Sequence, residues 1–449
     1  MIHLWFDKGT LLLRGEVGTP YGKWDPRVGC YRIKAAHYRD VTSYLKESRL
    51  QYRDEAPNLP PSQTLKDTVE LRPYQQEALG KWQRAGMRGI LVLPTAAGKT
   101  YIALKAISLL KTQTLIVVPT LDLIDQWRKR VVDYLNVDAG AVGGGEYNVQ
   151  MVTVSTYDSA YLQAEALGNR FMFIIFDEVH HLASPGYMQI AEMYIAPCRM
   201  GLTATYERGD QRHELLPPLV GDVVYTARVG ELAGKHLSPY THQKIYVELT
   251  REEQKAYDEE MRIFSDYLRE KGIVLKGPED FRRFIMATGR DRRAREALLA
   301  RNRAVKVALN SEAKLALLAR QLEVHRNEKT LIFTLHNDLV YKISRRFLIP
   351  AVTYQTPREE RHETLESFRR GDYGAVVTSQ VLDEGVDVPD ASVGFMLSGT
   401  GSTREYIQRL GRLLRKVEGK QAKLVEIVSK ETMEVRMSQR RRRRTGEEV

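Results

Sequence analysis

Apolar residues along this chain change period several times, and each change marks a boundary. Near the start, Ile2, Leu4 and Phe6, then Leu11 and Leu13, alternate with polar residues in the period-two pattern of half-buried strands. The spacing becomes helical through Tyr38, Val41, Tyr44 and Leu45. Residues 1–64 therefore read as a small α+β domain, with the stretch Pro57, Pro60-Pro61 and Ser62 as its exit linker. From Leu71 strand and helix alternate. A helix runs through Ala78, Leu79 and Trp82, followed by apolar runs at residues 90–93, 114–118, 149–154 and 171–176. Short uninterrupted apolar runs between turns are the signature of strands buried on both faces of a parallel sheet, which predicts an α/β block over residues 65–245. Residues 246–308 carry long charged helical patterns, through Ala256, Tyr257, Met261, Phe264 and Leu268, then Phe281, Phe284, Ile285 and Met286 after Gly277-Pro278. A basic helix with Arg290, Arg292, Arg293 and Arg295 completes this helical insertion. A second α/β block follows over 309–435, with strands at 330–334, 374–378 and 393–397, and residues 436–449 form a basic tail.

Composition narrows the function classes. A chain of 449 residues exceeds one core and predicts two to four domains. Its 43% hydrophobic and 28% charged residues are those of a globular protein, and no apolar run reaches the length of a membrane span. Asp7 and Lys8 interrupt the first apolar residues, unlike a signal peptide, so a cytoplasmic protein with no membrane partner is expected. Two cysteines, Cys30 and Cys198, make neither a disulfide framework nor a four-ligand metal site. The net charge of +11 points to a polyanionic partner, and the run from Arg440 to Arg444 can hold phosphate backbones without specificity. Tyr21, Trp24 and Tyr31 stand among Lys23, Arg27 and Arg32, a mixture that suits base stacking and phosphate contact as well as it suits a core.

The candidate chemistry sits at the carboxyl ends of the buried strands, where open α/β sheets bind ligands. The strand at 90–93 runs into Pro94-Thr95-Ala96-Ala97-Gly98-Lys99-Thr100, and a helix starts there. Backbone N–H groups at a helix start cradle phosphate oxygens, Lys99 can reach the β- and γ-phosphates, and the Thr100 hydroxyl can hold Mg²⁺. Leu93 stands at the first loop position, where the Walker pattern has glycine. The run at 171–176 ends in Asp177-Glu178-Val179-His180, with Asp177 placed to reach Mg²⁺ and Glu178 to orient an attacking water. In the second block Arg412 and Arg415 stand three apart on one helix face, a spacing at which two guanidiniums can stabilise a transferring phosphoryl group.

The ordered set of Tyr74-Gln75, the loop at 93–100, Pro119-Thr120, 177–180, Thr203 to Thr205, 384–387 and 408–415 resembles the superfamily 2 helicases, in which Leu at the first loop position is common. The Asp-Glu-Val-His-His-Leu run at 177–182, the Arg208-Gly209-Asp210 triplet, the small first domain and the inserted helices resemble the XPB family in its archaeal form over nearly the whole chain. The resemblance implies two RecA-like parallel-sheet lobes around an ATP site, a damage-recognition domain at 1–64 and a helical thumb at 246–308. It implies nucleotide contacts from Arg72, Gln75 (which would read adenine), Thr95, Gly98, Lys99, Thr100, Gly385 and Asp387. Lys99, Asp177, Glu178, Arg412 and Arg415 would be catalytic, with Thr100 and Asp177 holding Mg²⁺. Thr203, Thr205 and Gln408 would couple nucleotide to strand. The family's Arg-Glu-Asp unwinding motif is Arg208-Gly209-Asp210 here and lacks the middle carboxylate. The implied function is a DNA-dependent ATPase that moves 3′ to 5′ and opens forked or damaged duplex in nucleotide excision repair, touching single strands. Alternatives are a duplex translocase that leaves strands paired, or an ATP-regulated scaffold for a nuclease. A separate nuclease partner and a stand-alone prokaryotic, nucleoid-associated protein also follow from the resemblance.

Overall fold

The computed structural model describes residues 2–15, 17–207, 210–232, 234–236, 238–379, 391–398 and 421–443. Of the positions singled out above, Arg208, Gly209, Glu384, Gly385, Asp387, Gln408, Arg412, Arg415 and Arg444 lie outside the described residues. The chain divides into two compact units, one made of the described residues up to Leu232 and the other of those from Gly234 onward. Among the described residues no helix is long and apolar enough to cross a membrane.

The first unit opens with five strands, β1 (Ile2–Asp7), β2 (Thr10–Arg14), β3 (Gly22–Asp25), β4 (Cys30–Lys34) and, after helix α1 (Tyr38–Glu47), β5 (Tyr52–Glu55). Their order is β3-β4-β2-β1-β5, antiparallel except for β1 against β5. The alternation read from the sequence is the one that builds the core: Leu4, Leu11, Leu13, Val41 and Leu45 are fully buried. Ile195, from the neighbouring α/β layer, completes this core. The stretch read as an exit linker lies flat on that layer. Asn58 N–H donates to Asn169 O at 2.9 Å, Lys66 N–H to Leu135 O at 2.9 Å and Thr68 N–H to Tyr134 O at 3.1 Å, while Gln113 Nε2 donates to Pro60 O at 2.9 Å. A backbone whose donors find partners in this way is a strap, not a free tether.

The larger layer follows in sequence as α2 (Pro73–Arg84), β6 (Arg88–Val92), α3 (Lys99–Leu110), β7 (Thr114–Val118), α4 (Leu121–Leu135), β8 (Ala139–Gly143), β9 (Glu146–Asn148) and β10 (Val152–Thr156). Then come α5 (Tyr157–Leu162), α6 (Ala164–Leu167), β11 (Phe173–Asp177), α7 (Met188–Met193), β12 (Cys198–Thr203), α8 (Pro217–Val220), β13 (Val223–Thr226) and α9 (Val229–Leu232). The strand order is β13-β6-β12-β11-β7-β10-β8-β9, parallel except for the short hairpin partner β9. The five residues of β7 are all buried, as are Phe173 to Phe176 of β11, because helices cover both faces.

In the second unit, β14 (Tyr240–Val247) precedes three helices, α10 (Arg251–Glu270), α11 (Pro278–Ala287) and α12 (Arg292–Leu309). The remaining elements are α13 (Glu312–Val324), β15 (Thr330–Phe333), α14 (Asn337–Phe347), β16 (Ala351–Val352), α15 (Arg358–Arg370), β17 (Ala375–Thr378), β18 (Val393–Met396), β19 (Ala422–Ser429) and α16 (Met433–Arg443). The sheet is all parallel in the order β14-β19-β18-β15-β17-β16. The sequence boundary at 245 falls inside β14, which pairs along its length with β19. On one face of β14, His242 and Lys244 meet the buried Glu426, so the strand carries no apolar run for a sequence reading to find. The insertion has its own small core of Phe264, Tyr267, Phe284, Ala294 and Ala297, and α10 starts on a capping box of Thr250 and Glu253. It joins the sheet where Ser429 Oγ donates to Ala308 O at 2.7 Å and Met433 N–H to the Tyr257 hydroxyl at 2.9 Å.

One ion pair in this unit is fully buried. Lys314 Nζ lies 2.6 Å from both Glu434 carboxylate oxygens and from Leu397 O, and each side chain of the pair is 1% exposed. Removing one member strands the other charge in a low dielectric, which costs about 3–5 kcal/mol. Lys314→Met is therefore expected to lower protection of residues 240–443 in hydrogen exchange by that amount. The pair Lys314→Met with Glu434→Leu recovers most of it, and unchanged protection in the single variant contradicts the assignment.

Candidate nucleotide site

The phosphate loop leaves β6 through Leu93, which is fully buried and whose N–H donates to Thr203 O of β12 at 2.9 Å. That burial is why a bulky residue fits the first loop position: directly after β6, its side chain is part of the core. The loop then passes two left-handed residues, Ala96 at φ 68° and Gly98 at φ 75°, before α3 begins at Lys99. For Ala96 this conformation is strained, as is common at ligand sites. Gly98 has a second constraint: a Cβ there would lie 2.4 Å from Gln75 Nε2.

Gln75 braces the loop. Its Oε1 accepts from Arg72 N–H at 2.9 Å, its Nε2 donates to Ala97 O at 2.9 Å, and the Tyr74 hydroxyl donates to the same carbonyl at 2.7 Å. The side chain expected to read adenine is 3% exposed here, with both ends of its amide engaged by the chain. Arg72 is exposed at the start of α2. Lys99 Nζ donates to Leu93 O at 3.1 Å.

The acid pair lies at the end of β11. Asp177 Oδ1 accepts from Glu178 N–H at 3.1 Å and Oδ2 from the indole N–H of Trp127 at 2.9 Å. Glu178 is left-handed at φ 48°, which turns its carboxylate toward β12: the Thr203 hydroxyl lies 3.3 Å from Glu178 Oε2, and His180 Nδ1 is 3.2 Å from that hydroxyl. Thr205 N–H donates to the Thr203 hydroxyl at 3.2 Å, so the acid pair and the Thr203 to Thr205 turn share one network. Burial, and then the adjacent Glu178 carboxylate, push the Asp177 pKa up, while the Trp127 hydrogen bond and the Lys99 ammonium oppose the rise. Thr100 presents its hydroxyl oxygen beside this network, where it accepts from Arg130 Nη1 at 2.8 Å.

Two observations test whether these residues suit a nucleotide with a divalent cation. The hydroxyls of Thr95, Thr120 and Thr205, in the loop and just past β7 and β12, are buried with no hydrogen-bond partner among the described residues. Burial and the neighbouring Glu178 carboxylate both raise the Asp177 pKa, so positive charge beside Asp177 would favour its ionised form. No cluster of three or more His, Cys, Asp or Glu among the described residues could hold a metal by itself. Thr100 and Asp177 alone are the sparse protein share expected for Mg²⁺, which takes most of its ligands from phosphates and water. The residues fit the pair of groups.

Several participants escaped the sequence reading. Trp127 and Arg130 lie on α4, and His180, quoted in the motif, had no role. The one signal available was an indole and a guanidinium three residues apart, on one face of the helix after Pro119-Thr120. Asp210 accepts from Arg212 N–H at 3.2 Å in an exposed turn. In the first domain, Trp24 is 54% exposed and packs edge-on against Tyr31 at 5.4 Å. It lines a groove of about 610 Å³ with Tyr21, Lys23, Lys34 and His37. Arg27 and Arg32 both bond to Asp25, whose pKa they hold far below the usual carboxylate range.

Comparison with known proteins gives a consistent placement. Residues 4–56 match the Xeroderma pigmentosum group B helicase damage recognition domain, residues 68–208 the Type III restriction enzyme, res subunit, and residues 313–417 the Helicase conserved C-terminal domain. The DNA 3′-5′ translocase XPB2 of Sulfurisphaera tokodaii is 47% identical over 98% of this chain and all of its own length. This chain belongs to the XPB family. The DNA 3′-5′ helicase XPB of Mycobacterium tuberculosis is 27% identical over 84% of this chain, which spans 64% of that relative. The crystal structure of the Pyrococcus furiosus Hef helicase domain, 18% identical, aligns with a TM-score of 0.55 over 84% of this chain and 99% of its own, and shares the fold. Two parallel α/β layers with a phosphate loop in the first are thus the helicase architecture of this XPB-family chain.

Gly98→Ala puts a methyl group against Gln75 Nε2 and forces alanine into a left-handed conformation. Nucleotide affinity is expected to fall at least about tenfold, or 1.4 kcal/mol, in titrations with a fluorescent ATP analogue. Unaltered affinity contradicts the bracing role given to Gln75.

Proposed function

We propose that this protein is a DNA-dependent ATPase that moves 3′ to 5′ along DNA and opens forked or damaged duplex in nucleotide excision repair. The observation that carries the reading is the shared network of acid pair and Thr203 to Thr205 turn, because it gives hydrolysis a mechanical outlet. Glu178, held out of line with β11 by its left-handed backbone, is placed to orient a water for attack on the γ-phosphorus and to take its proton. Its carboxylate partner is the Thr203 hydroxyl, so a change of charge or position at Glu178 is felt at the turn that follows β12. Lys99 and the loop N–H groups would hold the phosphates, and Thr100 and Asp177 would hold Mg²⁺, which would supply neutralisation of phosphate charge. Arg412 and Arg415, with Gly385, Asp387 and Gln408, keep the roles the family resemblance gives them. The groove beside Trp24 offers an exposed ring for base stacking and Lys23 and Lys34 for phosphates. A separate nuclease is a partner compatible with this activity, and association with the nucleoid belongs to the same reading.

A second reading, translocation on duplex DNA without strand separation, draws on Gly209, which removes the middle carboxylate of the unwinding triplet. Lys99→Ala is expected to abolish ATP turnover while DNA affinity in fluorescence anisotropy stays within about twofold, less than 0.5 kcal/mol. Equal loss of both makes Lys99 a structural residue and removes the basis of the proposal. Strand displacement on a forked duplex separates the two readings. Opening by the natural protein supports the first, whereas paired strands under brisk ATP turnover, rescued by Gly209→Glu, establish the second.

A further inference from the structure

Helix α4 sends two donors into the nucleotide site from a single face. Trp127, 1% exposed, gives its indole N–H to Asp177 Oδ2 at 2.9 Å, and Arg130, one turn further along, gives Nη1 to the Thr100 hydroxyl oxygen at 2.8 Å. Those two oxygens belong to the two side chains that would carry the cation. The donors differ in kind. A neutral indole N–H brings no charge to Asp177 and fixes the carboxylate plane, since Oδ1 is held from the other side by Glu178 N–H at 3.1 Å. A guanidinium brings a positive charge to the oxygen a cation needs, and two positive centres on one hydroxyl repel strongly in a partly buried site. Arg130 and a divalent cation therefore compete for Thr100, whereas Trp127 and the cation cooperate on Asp177.

We propose that α4 sets the metal step of nucleotide binding: Trp127 is a positioning residue that holds Asp177 ready for the cation, and Arg130 is a placeholder that occupies Thr100 until the cation displaces it. The inference rests on the reading of Thr100 and Asp177 as the Mg²⁺ pair. Because the two residues work in opposite directions, their variants shift metal demand with opposite sign, which general damage to α4 cannot do. Placing the cation also releases Arg130 from the loop helix, so the helix between β7 and β8 senses whether the nucleotide arrived with its metal.

The experiment is a Mg²⁺ titration of fluorescent ATP-analogue binding, with a parallel series in EDTA, on the natural full-length protein, Trp127→Phe, Arg130→Met and Arg130→Lys. Trp127→Phe is expected to raise the Mg²⁺ concentration for half-maximal binding about tenfold, as loss of an outer hydrogen bond to a metal ligand does, with binding in EDTA unchanged. Arg130→Met is expected to lower that concentration a few-fold, and Arg130→Lys to fall between it and the natural protein. Unshifted metal demand in Trp127→Phe, or a shift to higher demand in Arg130→Met, overturns the proposal. If the natural protein binds the analogue equally with and without Mg²⁺, the metal reading itself fails, an outcome distinct from the other two. Should Trp127→Phe misfold, the ¹⁵N indole signals of the natural protein serve instead. One of the four is expected to move when Mg²⁺ joins bound nucleotide and to be insensitive to nucleotide alone; no such signal overturns the role of Trp127.

Discussion

Two carboxylates stand side by side at the end of a buried strand, and much of the first unit is built to make that tolerable. Burial and the neighbouring Glu178 carboxylate both disfavour the charged form of Asp177. The chain answers with donors: the Trp127 indole and a backbone N–H on Asp177, the Thr203 hydroxyl on Glu178 and the Lys99 ammonium nearby. None of these fully compensates two negative charges. The left-handed backbone of Glu178 separates the two acids in direction, so its carboxylate faces the β12 turn.

The elements around this pair are tied to it rather than merely adjacent. The loop is braced by Tyr74 and Gln75 through Ala97 O, and Gln75 belongs to the helix that follows the strap from the first domain. That strap is anchored on α3 as well, where Lys105 Nζ bonds to Asp67 at 2.7 Å. The first domain, its strap and the nucleotide loop thus form one mechanically continuous path within the first unit.

The phosphate loop, the acid pair and both parallel layers were legible because each demands particular residue types locally. A left-handed loop position calls for glycine at 98, and strands covered on both faces produce the apolar runs at 114–118 and 173–176. Other features depend on tertiary partners. β14 turns His242 and Lys244 toward Glu426, so its burial leaves no hydrophobic trace. The strap is rich in proline and polar residues, the composition of a free linker, and only its backbone partners on the α/β layer reveal otherwise. The grip of Gln75 on the loop left no trace in the sequence, and the hydrogen bonds made by Trp127 and Arg130 became visible only when α4 was laid across the sheet.

ATP turnover measured with and without a forked DNA duplex, with strand separation followed in the same reaction, tests the central claim most directly. An acid pair wired to the β12 turn predicts that turnover rises at least about tenfold when DNA is present, a barrier lower by roughly 1.4 kcal/mol, and that turnover and DNA movement stop together when ATP is withheld. Turnover that is brisk without DNA and indifferent to its addition would contradict the account, for then the Thr203 network transmits nothing between nucleotide and strand.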